Sequence, residues 1–481
     1  MQDKLIEEHG YFWWHHEPIP EGQFAPDSAV SGVLTIDNEG VTYLELNGVI
    51  SSNDPLNSFF KGTRQIDPSL QIQGRLKKDS KYILISDIYV DKPHISFGGI
   101  SHEKLSAFHC LIGRSPFPKA NKPILFNKLS VNLVGFEDWI GLGCINTKRT
   151  KTRLVVSYKK PKDIKYNLVD GKIEFKHYLS GPDYGEYNFN STELNEEAHL
   201  IYTPKKPIDI FGVKKTFNNI ESFLLLVSGS GYSLDWPKVS IGSRKKETTY
   251  TYYTPRAKAS TKAPHRHDLW LRLSDIEVEF GALFDKWIEK LEQLGPGITL
   301  YLAAAKGASL YIEHKYITYI WGLETLHRNL NRVDPQAIKR QEKVSRILSQ
   351  QGGNSKDRGW LKAKLKNAAE PSLEERLYDL FSNIGIKFNE SSLKEFCKYC
   401  ADRRNDISHF GELRGSSGKV KSEILETLID KSNALAFLYP AVILREIGIR
   451  ESLLKDVFSR GAMRGSIKRA LNNADLSVEQ E

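Results

Sequence analysis

The stretch SDIEVEFGALFDKWIEKLEQLG, residues 274–295, is where the periodicity of the chain changes. Ile276, Phe280, Leu283, Phe284, Trp287 and Leu291 recur every three or four residues, which is the spacing of one helix face. Ser274 is a candidate cap, and Gly295-Pro296-Gly297 is a strong stop. Most of the chain before this point reads at the period of a strand, and most of it after reads at the period of a helix. The fold class follows from that break.

Toward the N-terminus, VSGVLTIDNEGVTYLELNGVI (30–50) alternates around a polar DNEG turn and predicts a hairpin. YILISDIYV (82–90), HISFGG (94–99), KLSAFHCLIG (104–113), KLSVNLVG (128–135) and TRLVVSY (152–158) predict further short strands. NLVDGKIEFKHYL (167–179) predicts a second hairpin turning at Asp170-Gly171, and SFLLLVSGSGYSLDW (222–236) a buried strand and turn. Residues 243–267 are basic and rich in hydroxyls and tyrosines, without an apolar period. Toward the C-terminus, helices are predicted over 309–330, 374–385, 391–411 and 421–448, with a polar, extended connection from Arg332 to Glu370. The fold class is α+β. A β-rich, sandwich- or barrel-like domain (1–272) is followed by a connecting helix (273–297) and an all-α helical bundle (298–481).

A chain of 481 residues exceeds a single core and suggests two domains or three. The net charge of +9 and pI near 9.0 suit a polyanionic partner, although ordinary surface drift accounts for them equally well. No apolar run reaches the length needed to span a bilayer, and MQDKLIEEHGYFWWHH has no secretory signal. Four cysteines without a framework point to a reducing, cytoplasmic setting.

One helix breaks the apolar logic of the bundle. CADRRNDISHF (400–410) puts Arg403, Arg404, Asn405 and Asp406 in succession, then His409, on a segment that should bury one face. Asn405 and His409 lie in line at i, i+4, whereas Arg404 is about 140° from His409 on an ideal helix. An arginine followed by Asn, Asp or His and then by a histidine at this spacing arises by chance roughly 0.2 times in such a chain. Arg404 pairing with Glu395 or Glu412, with His409 capping the helix end, is an equally good account of the residues alone.

RNDISH resembles the HEPN ribonuclease signature: an arginine, then Asn, His or Asp, then a histidine four to six residues from the arginine. YFWWHHEPIPEGQFAPDSAVSGVLTIDNEGVTYLELNG (11–48) and YIWGLETLHR (319–328) extend the likeness to the ApeA-like family, which acts in bacterial abortive-infection defence against phage. The resemblance implies a HEPN bundle after an ApeA-type N-terminal domain that senses or regulates. It implies metal-independent endoribonuclease action on host or phage RNA, with transfer RNA a possible target and a phage-derived trigger. Arg404, His409 and Asn405 become the expected catalytic residues and Arg403 an RNA contact, in a homodimer or higher oligomer with no cofactor, no metal and no membrane. A histidine titrating near pH 6.5 serves as acid or base, and a guanidinium fork suits the non-bridging phosphate oxygens. The alternative is a non-catalytic HEPN module that holds RNA or a protein, with the β domain supplying recognition.

Other features carry blander readings. Cys397-x-x-Cys400 is expected to pack in the core, and His15-His16 and His265-Arg266-His267 lack partners at ligand spacing. GSSGK (415–419) fails the phosphate-loop pattern and predicts a turn. Tyr250, Tyr252 and Tyr253 within the basic stretch offer stacking on RNA, against a solvated loop. Glu324, His327 and Arg328 are read either as facing the active cleft or as a polar pair that orients the bundle.

Overall fold

The computed structural model describes residues 4–50, 64–65, 67, 69–90, 101–119, 122–181, 193–242, 246–256, 263–306, 311–330, 332, 336–350, 354–409 and 421–479. The expected strand at 94–99 and the GSSGK turn lie outside the described residues. The chain divides into two compact units, Met1–Ser222 with Tyr232–Ala263, and Phe223–Gly231 with Pro264–Glu481.

The first unit is built from β1 (Lys4–Trp14), β2 (Val30–Asp37), β3 (Thr42–Leu46), β4 (Arg64–Gln65), β5 (Ile72–Leu76), β6 (Tyr82–Val90), β7 (Glu103–Gly113) and β8 (Lys128–Asn132). It continues through β9 (Ile145–Arg149), β10 (Leu154–Tyr158), β11 (Ile164–Asn167), β12 (Gly171–Ser180), β13 (Asn195–Pro204), β14 (Lys238–Ile241) and β15 (Thr248–Tyr253). Neighbours run β7-β3-β2-β1-β5-β6, and the β6–β7 pairing closes the ring into a six-stranded barrel. The expected hairpin at 30–50 supplies β2 and β3 of that ring. Alternation places Phe12, Leu34, Ile36, Leu44, Ile72, Ile83, Ile85 and Leu105 in its core. From β7 the sheet continues through β15, β14, β8, β13, β12 and β11. The hairpin turning at Asp170-Gly171 forms β11–β12 as expected.

Asp87 in β6 takes a left-handed φ of 55°. Either side of it the core-facing residues change phase, from Ile83 and Ile85 to Ile88 and Val90, and Ala107 gives way to Cys110 on β7. A shift of one position turns every later side chain to the other face. His109 is thereby left out of the barrel core and buried instead against Tyr252 and Phe211.

The helices in chain order are α1 (Glu137–Ile140), α2 (Ile210–Ser228), α3 (Leu273–Ile276), α4 (Phe280–Leu294), α5 (Pro296–Ala305), α6 (Ile312–Leu330) and α7 (Ala337–Gln350). They continue with α8 (Ser355–Lys364), α9 (Leu373–Ser382), α10 (Glu390–His409), α11 (Lys421–Glu446), α12 (Glu451–Ser459) and α13 (Arg464–Asn473). The break at 295–297 holds in a modified form. Gly295 ends α4, and Pro296 starts α5 at the first helical position, where the missing N–H costs nothing. Ser274 is not the cap, because α3 already begins at Leu273 and the Asp275 carboxylate accepts the Arg272 N–H at 2.8 Å.

Three expectations change. The stretch from Ser222 is the end of helix α2 and not a strand; its run of fully buried Phe223–Val227 has no polar residue to mark a period. The Arg332–Glu370 connection contains α7 and α8, which bury no residue. Tyr250 and Tyr252 are buried on β15 and hence closed to stacking on RNA.

In the second unit α6 packs against α4, α5, α9, α10 and α11. The Tyr316 hydroxyl of α6 donates to the Cys400 carbonyl of α10 at 3.1 Å, which ties the two helices together. The Tyr439 hydroxyl of α11 donates to the Gly297 carbonyl of α5.

Candidate active site

Arg404 lies one helical turn beyond Cys400, and its guanidinium is held on two sides. One Nη donates to the Glu324 carboxylate on α6, and the other donates to Asn405 Oδ1 at 3.0 Å. Both partners of the Arg404–Glu324 pair are largely buried, with side chains 17% and 16% exposed. Among the described residues the partner is thus Glu324 and not Glu395; Glu412 lies outside the described residues. Arg403 turns elsewhere, pairing with Asp406 at 2.9 Å and lying over the Tyr399 ring at 5.7 Å. His409 is the last residue of α10, and its side chain lies outside what the structure describes. The structure therefore brings Arg404 and Asn405 together, and adds Glu324.

Glu324 also accepts from Arg328, one turn along α6, at 3.2 Å. Arg328 continues to Glu370, which Arg376 of α9 reaches at 2.8 Å. From there the network opens into a cleft of about 720 Å³ lined by His327, Arg328, Arg332, Arg340, Arg376 and Asp379, among others. Arg332 donates to Asp379 at 2.7 Å and to Glu446 at 2.6 Å. The hydrogen bond from His327 and the bonds from Arg332 hold the Asp379 carboxyl below its ordinary range, against the opposing effect of burial. Burial pulls the Arg332 pKa down, and the Asp379 and Glu446 bonds outweigh it and raise it.

His327 has a defined tautomer. Arg376 Nη1 lies 3.2 Å from Nδ1, and a guanidinium donates only, so Nδ1 accepts. The proton then sits on Nε2, 3.2 Å from Asp379 Oδ2. Of this network the sequence singled out Glu324, His327 and Arg328 without assigning them a task. Glu370, Arg376, Asp379 and Arg332 passed unnoticed. Arg376 and Asp379 sit on the amphipathic helix α9, where charged residues between apolar ones carry no signal of their own.

The remaining candidates behave as core or surface. Cys397 and Cys400 are buried free thiols, and burial raises the pKa of both, that of Cys400 to about 12. His15 is buried against Gln73 at 2.7 Å, whereas His16, His265 and His267 are exposed. No group of three or more His, Cys, Asp or Glu suited to a metal ion occurs among the described residues.

A β-rich unit joined to a helical bundle, with an acid-buttressed arginine ahead of a helix-terminal histidine, defines the class of protein. The family model of ApeA N-terminal domain 1 matches residues 7–287, and that of Apea-like HEPN matches residues 317–453. The chain belongs to the ApeA family, and its helical unit carries an ApeA-type HEPN domain. HEPN domains are generally ribonucleases, which gives the chain a nuclease-type domain with a role in defence. Neither a curated protein nor a solved structure matches the chain. Among the described residues no helix is long and apolar enough to cross a membrane.

Proposed function

We propose that the chain is a metal-independent endoribonuclease of abortive-infection defence, with host or phage RNA, transfer RNA among them, as substrate. In this reading two copies of α10 meet across a two-fold axis, so that one His409 serves as base and the other as acid. The base takes the 2′-OH proton, and the 2′-oxygen attacks phosphorus. The P–O5′ bond breaks, and the acid protonates the departing oxygen. The products are a 2′,3′-cyclic phosphate and a 5′-OH, and DNA, lacking the 2′-OH, is spared. Arg404 neutralises the non-bridging oxygens of the phosphorane, and Asn405 and Glu324 fix its guanidinium. Arg403 contributes charge toward the strand. The N-terminal β-rich unit restrains the nuclease until a phage-derived trigger acts, in the cytoplasm.

The observation that carries this reading is the guanidinium of Arg404, held by Glu324 and Asn405 ahead of His409 in the HEPN-matched region. Arg404→Ala and His409→Ala are each expected to abolish cleavage of total RNA and any cell toxicity while leaving thermal melting within a few degrees of wild type. Wild-type cleavage should persist in EDTA, and light scattering should give twice 54.7 kDa at low and high salt. Unchanged cleavage by both variants would end the proposal. The second reading, a HEPN module that binds without cutting, draws on the same contact, since Glu324 occupies the guanidinium that a phosphate would need. It requires RNA binding with no cyclic-phosphate product.

A further inference from the structure

Among the described residues the strands β9 and β10 pair only with each other, as a two-stranded ribbon separate in its ladder from the large sheet. Residues 145–162 contain no Asp or Glu, yet carry Lys148, Arg149, Lys151, Arg153, Lys159, Lys160 and Lys162, all exposed. Lys160 pairs with Asp163 at 3.8 Å, and among the described residues none of the other six makes an ion pair. Elsewhere in the unit cations crowd around acids, as Lys165, Lys172 and Lys176 do around Glu174. Arg149 and Leu154 stand opposite each other on one face, and Lys148 and Val155 on the other, so both faces carry charge. The turn between the strands is fixed, with the Arg153 N–H donating to Thr150 Oγ1 at 3.0 Å and the Thr150 N–H to the Arg153 carbonyl at 2.7 Å.

We propose that this ribbon is a docking arm for the phosphate backbone of RNA, binding without regard to sequence. Lys148 and Arg149 on β9, Lys151 and Arg153 in the turn, and Lys159 and Lys162 beyond the end of β10 are unneutralised cations that repel one another at a cost that a polyphosphate removes. Two copies of the ribbon would repel, which excludes self-pairing. An anionic bilayer would match the charge, but the exposed apolar side chains of the strands are Leu154 and Val156 alone, too little to anchor in lipid. With no aromatic side chain at its tip to stack on bases, the ribbon contacts backbone and not sequence. The choice of RNA as the polyanion rests on the function proposed above; the phosphate contact does not.

The test uses the full chain with His409→Ala, so that binding is read without cutting. A labelled 20-nucleotide single-stranded RNA is titrated between 50 and 200 mM salt, with and without the combined change Lys148→Gln, Arg149→Gln, Lys151→Gln and Arg153→Gln. Losing four phosphate contacts should reduce the slope of log K against log salt by about 3, and weaken binding at 100 mM salt by about tenfold or more. A variant with Lys148→Arg, Arg149→Lys, Lys151→Arg and Arg153→Lys should retain both. Equal affinity and slope for the glutamine variant would overturn the proposal, as would equal loss in the charge-preserving one. Loss of binding to phosphatidylserine vesicles with RNA binding intact would also overturn it, in favour of a membrane. If ribbon-dependent binding appears while wild-type protein leaves RNA uncut, the nuclease reading fails and the docking arm stands.

Discussion

His109 is 2% exposed, its Nδ1 lies 2.7 Å from the Tyr252 hydroxyl, and its pKa is pushed down to about 4. Burial is the main cause and the Lys214 ammonium the next, while Asp87 and Asp209 pull the other way. Between about pH 4 and 6.5 the unfolded chain binds a proton at this ring that the folded chain does not, so stability rises with pH across that window. The contribution is complete above about pH 6.5 and shrinks as the pH falls, by about 3 kcal/mol over the whole range. Urea unfolding of wild type and His109→Gln at pH 7 and pH 4 should show wild type losing ground to the variant as the pH drops. At this scale the sequence singled out Arg404 and Asn405, whose polar neighbours clash with an apolar helix face. It could not disclose Glu324 as the partner of Arg404, because a pairing across 80 residues is set by how α6 and α10 pack. Nor could it show His109 leaving the barrel core, which depends on the backbone of Asp87 on the neighbouring strand.

Among the elements, α5 and α6 approach most closely at Gly297. A Cβ there would sit 2.8 Å from Leu326 Cβ and 2.9 Å from the Leu326 backbone, which cannot swing away. Gly297→Ala is expected to cost about 1–3 kcal/mol, the range for forcing atoms into a packed interior, and to lower the melting temperature of the helical unit in calorimetry. Sequence reading took this glycine as part of a stop signal, and its second task as a contact surface emerges only once α5 exists. The hairpins β2–β3 and β11–β12 were legible because half-buried strands must alternate. Helix α2 was not, since Phe223–Val227 is buried on every side and carries no contrast between faces. Helices α7 and α8 failed for the opposite reason, since neither buries a residue and charge dominates both.

Across the molecule the change of period at 274–297 falls between the last strand, β15, and the helices of the bundle, with the first family match ending at 287 and the second starting at 317. The break was readable because a sheet and a bundle demand different spacings of the same apolar residues. Closure of the barrel was not, since alternation tells which face of a strand is wet but not which strand lies at the end of the row. That closure has a consequence for opening motions. With β6 bonded to β7, the ring offers no terminal strand that can peel away alone, so its amides should exchange with deuterium together, through one cooperative event. The β9–β10 ribbon, whose strands among the described residues form no ladder with that ring, should exchange orders of magnitude sooner. A mass-resolved time course in heavy water should separate these two clocks, and a ring whose β1 or β5 labels early would mean that it comes apart strand by strand.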